Sequence, residues 1–68
     1  MELNSIGSRL RALRMSKGLS ADRLAKKVGV SVMTIYKYER DEMNPSLLVM
    51  ADICKFFGVS LDYIVWGK

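Results

Sequence analysis

The sequence predicts an all-α fold, a compact bundle of five short helices. Three observations lead there. Apolar residues recur at helical spacing, and no segment alternates Val, Ile or Thr with polar residues as a half-buried strand would. The apolar stretches open on Ser or Asn, and most close on Gly, the punctuation of helix caps. One connection, Val28-Gly29-Val30-Ser31, is short and carries a Gly, as in a tight corner between two helices.

The first helix is expected from Ser5 to Lys17 with Asn4 as its N-cap. Ile6, Leu10 and Leu13 fall on one face at i, i+4, i+7. Ser20 caps the second, Ala21 to Val28, whose Leu24, Ala25 and Val28 are apolar. Ser31 caps the third, Val32 to about Arg40. Ile35 and Tyr38 point one way along it, and Val32, Met33, Tyr36, Lys37 and Arg40 the other. A polar turn, Asp41 to Asn44, precedes Pro45, and the proline pushes Asn44 into an extended conformation. Ser46 caps the fourth helix, Leu47 to Phe57, which is apolar on most sides. Ser60 caps a short fifth one through Trp66. The expected core is Leu10, Leu13, Leu19, Leu24, Ala25, Val28, Val30, Ile35, Tyr38, Leu47, Met50, Ile53, Cys54, Phe57, Val59, Leu61 and Ile64.

At 68 residues the chain is one domain, spanning 1–68. A chain of this size buries only about 60% of its unfolded surface, so stability depends on efficient packing. Half the residues are apolar, which is a globular composition. There is no His and a single Cys, Cys54. Within one chain this excludes His-based triads, His metal sites, Cys-rich zinc sites and disulfide scaffolds. No metal, cofactor or enzymatic activity is expected, and binding is the default. A lone thiol fits a reducing, cytoplasmic setting. No apolar run reaches the ~18 residues of a membrane span, and the N-terminal stretch lacks a signal-peptide core.

The charge is unevenly placed. From Arg9 to Arg40 there are nine basic residues against Asp22 and Glu39, a net of +7 in a chain of net +4. From Asp41 to Lys68 two basic residues face four acidic ones, a net of −2. A basic patch on a small domain is the electrostatic footprint of a nucleic-acid binder, although a solvated helix surface has the same charge pattern. Helices two and three, joined by the short Gly-containing turn, make a helix-turn-helix at about 20–40.

These residues, in this order, resemble the Cro/repressor-type (XRE-like) helix-turn-helix family. The resemblance rests on Arg14, Gly18 to Ser20, Leu24-Ala25, Gly29 to Ser31, Thr34-Ile35, Glu39-Arg40, Asn44 to Ser46, and Gly58 to Ser60 with Asp62. It covers residues 6–66. It implies a lambda-repressor-like domain that acts as a sequence-specific transcriptional regulator on double-stranded DNA, of bacterial or phage origin. Three positions depart from the family pattern. Ala21 stands where a phosphate-contacting Gln is usual, and Phe57 where Leu is usual. Asp41 stands where Gly is usual, and its charge is expected to weaken DNA binding modestly.

In such a domain the third helix enters the major groove. Val32, Met33, Tyr36 and Lys37 are its base-reading candidates, with Lys37 suited to guanine and Val32 and Met33 to thymine methyls. Ser20, Ser31, Thr34, Arg40, Lys26 and Lys27 are phosphate candidates. The resemblance also implies an ion pair between Arg14 and Glu39, and a homodimer joined near the C-terminal end through Leu61, Val65, Trp66, Phe56 and Tyr63. Two other readings use the same fold: a protein-interaction module of antitoxin or coactivator type, and a non-specific nucleic-acid binder.

Overall fold

The computed structural model describes residues 4–68. It contains α1 (Ile6–Ser16), α2 (Ala21–Val28), α3 (Val32–Glu39), α4 (Leu47–Phe57) and α5 (Leu61–Trp66), with no strand among the described residues. Every helix starts on a serine whose hydroxyl accepts the backbone N–H three residues on. The caps are Ser5, Ser20, Ser31, Ser46 and Ser60. Each satisfies one of the donors that a helix start leaves without an intrahelical partner. For α1 the cap is Ser5, not the expected Asn4. Ser5 and Ser8 close a reciprocal capping box, in which Ser8 Oγ also accepts from the Ser5 N–H.

The corner between α2 and α3 closes at Gly29, whose φ of 75° lies in the left-handed region open to glycine. The N–H groups of Gly29 and Val30 both donate to Ala25 O, at 2.9 and 3.0 Å. Val30, half-buried, packs into the angle between the helices.

α1 packs on α3 and α5, α2 on α3 and α4, and α4 on α5. Leu10, Leu24, Ile35, Ile53 and Ile64 are sealed from solvent. Each such side chain contributes about 1.5–3 kcal/mol on burial. Met50, Cys54 and Ile64 form a second cluster, which Leu13 and Val59 link to the main core. Burial pushes the Cys54 thiol above its ordinary pKa, which keeps it protonated and unreactive. Two expected core residues are not in the core: Leu47 is 73% exposed and Leu61 44%. Each is the first helical residue after its cap, and no neighbouring element covers it. Conversely Ala21, absent from the expected core, is buried at the start of α2.

Gly7 marks the closest approach of α1 to the end of α3. A Cβ there would collide with Tyr38 O and lie 2.7 Å from Glu39 O. Only a residue without a side chain lets the two backbones meet this closely.

Candidate nucleic-acid interface

α3 is divided lengthwise. Ile35, Tyr38 and Glu39 are buried, while Met33, Tyr36 and Arg40 are exposed and Lys37 is half-buried. Met33, Tyr36, Lys37 and Arg40 recur at i, i+3, i+4, i+7 and so share one outward stripe. Val32 differs from the expected outward position. It is half-buried and packs against the core, leaving only part of its side chain at the surface.

The two helices of the corner each start on a capping serine. Ser31 Oγ accepts the Thr34 N–H at 3.1 Å and lies 2.9 Å from Thr34 Oγ1. Ser20 Oγ accepts the Arg23 N–H at 3.1 Å. Both serines are exposed. Each α-helix start carries the positive end of a helix dipole, so both can receive an anion beside their hydroxyls. Lys26 and Lys27 are exposed on α2. Lys26 lies 4.0 Å from Asp22 one turn away, a contact of two solvated groups that leaves Lys26 available.

Arg40 already has a partner. Its Nε and Nη2 donate to Glu42 at 2.8 and 3.3 Å, and this pairing holds the Glu42 carboxyl below its ordinary pKa. A phosphate must therefore compete with Glu42 for Arg40. Arg11, which the sequence does not mark as a contact residue, is exposed and lines a shallow hollow with Arg14, Tyr36, Glu39 and Arg40. Its place on α1 beside α3 depends on helix packing and carries no local sequence signal.

Of the nine basic residues from Arg9 to Arg40, Arg9 is buried and Arg14 half-buried, and both are tied to other parts of the fold. Arg9 is only 5% exposed. Its Nε and Nη2 donate to Ile64 O and Val65 O at 2.7 and 2.6 Å. It thereby satisfies carbonyls in the last turn of α5, which a helix end leaves without partners. Arg14 donates Nε to Glu39 Oε2 at 2.6 Å and Nη2 to Oε1 at 3.1 Å, and its Nη1 donates to Leu19 O at 2.9 Å. The Glu39 hydrogen bonds raise the Arg14 pKa further above its ordinary value. This fork joins the buried side of α3 to α1 and to the residue before the Ser20 cap.

Asp41 ends α3. It has a φ of 59° in the left-handed region, at the position after the Arg40 cap. Asp41 N–H donates to Tyr38 O and Glu42 N–H to Lys37 O, at 3.1 and 2.9 Å, completing a Schellman end. A non-glycine residue in this region costs about 1–2 kcal/mol, with Asp among the more tolerant. Its carboxylate reaches the start of α1, accepting the Gly7 N–H at 2.9 Å and the Ser5 hydroxyl at 2.7 Å. α1 has no acidic residue in its own first turn, so Asp41 supplies the anion that its dipole favours.

On and beside α5, Trp66 is 70% exposed and Leu61 and Phe56 are exposed as well, while Tyr63 and Val65 are half-buried. The Phe56 and Phe57 rings meet edge to face at 5.1 Å, with Phe57 in the core. No helix of the described residues is long and apolar enough to cross a membrane. Among them no cluster of Cys, Asp or Glu could hold a metal ion.

The profile of a helix-turn-helix family matches residues 10–64. An uncharacterized HTH-type transcriptional regulator of Methanocaldococcus jannaschii is 40% identical over 57 residues, covering 84% of this chain and 86% of its own. The backbone is similar to that of the P22 c2 repressor solved in complex with a synthetic operator. That match has a TM-score of 0.91 and 32% identity over 96% of this chain and 98% of the other. It is also similar to SinR, a master regulator for biofilm formation solved in complex with DNA. There the TM-score is 0.78, with 32% identity over 87% of this chain and 95% of that one.

Proposed function

The chain belongs to the helix-turn-helix family of transcriptional regulators, and we propose that it is a repressor that reads a pseudo-palindromic operator as a homodimer. The observation that carries this reading is the divided α3. Its inner side is locked to the scaffold by Ile35, Tyr38 and Glu39, while on its outward side Met33 and Tyr36 are exposed and Lys37 is half-buried. A helix held in this way presents a fixed set of side chains to a major groove. Lys37 donates to guanine O6/N7, Met33 and the exposed part of Val32 pack on thymine methyls, and Tyr36 lies between them. The Ser20, Ser31 and Thr34 hydroxyls and the cations Lys26, Lys27 and Arg40 grip the phosphates on either side.

One monomer offers about four base-reading side chains, too few for a useful specificity ratio in a genome. Two copies joined at α5 supply eight. Leu61, Val65 and Trp66 meet across the axis, with Phe56 and Tyr63 behind them. Half-site centres then lie about 10–10.5 base pairs apart, one turn of the duplex. The domain as a whole, 1–68, is the unit that does this, in the cytoplasm and without a cofactor.

Selection of bound sequences from a random duplex pool tests the reading. Enrichment of an inverted repeat with that spacing is the expected result. Binding without sequence preference would make the chain a general nucleic-acid binder. No binding at low salt would make it a protein-interaction module. Trp66→Ala should abolish cooperative loading on the enriched site and leave the helical circular dichroism unchanged. A wild type that stays monomeric at high micromolar concentration and loads its two half-sites independently would remove the α5 interface.

A further inference from the structure

We propose that Asp41 is a positioning residue for sequence recognition. Its carboxylate sets the attitude of α3 by clamping the C-terminal end of that helix to the start of α1. The inference rests on the DNA-binding reading above and reverses the simplest expectation for an acidic residue near phosphates, which is that its removal strengthens binding.

The geometry points this way because the end of α3 is fixed to α1 at two places by two carboxylates. Glu39 holds Arg14 in the body of α1. Asp41 holds the Gly7 N–H and the Ser5 hydroxyl at its first turn. Ile35 and Tyr38 seat the helix in the core, and two polar attachments spaced along α1 set the direction of its C-terminal end. Gly7 completes the clamp: its missing side chain lets the α3 carbonyls of Tyr38 and Glu39 approach α1 directly. The positive end of the α1 dipole partly offsets the Asp41 charge. The left-handed backbone at Asp41 is one that glycine would hold without strain. A carboxylate at that place therefore has a use that outweighs the backbone preference, and the hydrogen bonds to α1 are that use.

Two variants of the full chain test this, Asp41→Gly and Asp41→Asn. Glycine relieves the backbone, removes the charge and removes the clamp. Asparagine tolerates the same backbone, accepts the Gly7 N–H through its amide oxygen and donates to Ser5 through its nitrogen. Affinities are measured for the pool-selected operator and for a scrambled duplex at one salt concentration, where circular dichroism shows each variant folded. Exchange of the Gly7 amide proton is followed in the free proteins. Asp41→Gly should bind the operator about tenfold more weakly, the scale of one mismatched base pair. Its affinity for the scrambled duplex should stay the same or rise, and its Gly7 amide should lose protection. Asp41→Asn should keep most of the operator affinity and of the Gly7 protection. Operator binding by Asp41→Gly equal to or tighter than wild type overturns the proposal, as does an equal loss on both duplexes. A wild type that binds both duplexes alike removes the sequence-specific reading itself and this inference with it. That result is distinct, because it appears before any substitution is made.

Discussion

Breaking the Arg14–Glu39 fork one side at a time should give two unequal losses, and removing both sides should restore most of the stability. The inequality follows from burial: the Glu39 side chain is 3% exposed and the Arg14 side chain 13%. In Arg14→Met a carboxylate is left almost sealed from water with its two charged hydrogen bonds gone, which costs about 3–4 kcal/mol. In Glu39→Met the guanidinium keeps its bond to Leu19 O and its partial access to solvent. The cost there falls to about 2 kcal/mol. With both substituted, two methionines face each other where the fork was. What remains is the unpaired Leu19 carbonyl, a loss of about 1 kcal/mol. Unfolding entropy near 2.1 cal/mol/K per residue makes each kcal/mol worth about 7 °C in Tm at this chain length. Thermal melts should thus show drops of about 20–28, 14 and 7 °C for the two single variants and the double variant, and urea titration should give the same order. Single losses within about 0.5 kcal/mol of wild type would mean a solvated surface pair. A double-variant loss equal to the sum of the singles would mean that the two side chains act independently.

Three further outcomes follow from the same geometry. Gly7→Ala should destabilise by about 1–3 kcal/mol despite the better helix propensity of alanine, because the new Cβ meets backbone carbonyls that cannot rotate away; chemical denaturation reads this directly, and an unchanged midpoint would refute the close approach. Burial raises the Cys54 and Tyr38 pKa values in the folded chain, so the unfolded chain holds fewer protons at high pH and stability should fall as pH rises past about 8.5; Cys54→Ala should flatten the first part of that decline in denaturant midpoints taken from pH 7 to 10. On DNA, Lys37→Ala should relax base preference at one position per half-site, by about 1–3 kcal/mol, whereas Glu42→Gln should tighten binding to every duplex alike by releasing Arg40; a uniform loss for Lys37→Ala would reassign Lys37 to the phosphates.

The helices were legible because their ends are local. A serine cap acts on an N–H three residues away, so each of Ser20, Ser31, Ser46 and Ser60 marks its own helix start without reference to the rest of the fold. The inward side of α3 was legible for the same reason, since helical period alone separates Ile35 and Tyr38 from Met33 and Tyr36. Period gives a direction but not what lies there, which is why Leu47 and Leu61 were expected in the core and stand in solvent. Arg9 shows the limit most clearly. In sequence it is one more cation in a basic run. In the fold it is buried against carbonyls more than fifty residues away. The role of Asp41 was hidden in the same way, because its partners Ser5 and Gly7 lie at the far end of the preceding three-helix segment.

The lengthwise division of α3 has a consequence for how such a protein changes its target. Ile35, Tyr38, Glu39 and Asp41 hold the helix from its inner side and its C-terminal end, and Val32 packs on the core at its start. On the outward stripe Met33 and Tyr36 are exposed and Lys37 is half-buried, and substitutions at exposed positions usually alter stability by less than about 0.5 kcal/mol. The stripe is therefore an exchangeable cassette. A new set of three side chains can be written onto it, by evolution or by grafting, and the scaffold will hold them at the same angle. Under the proposed base-reading role of the stripe, mutations that retarget the protein and mutations that unfold it fall on opposite sides of one helix, so a search through new specificities can proceed without crossing a stability barrier at each step.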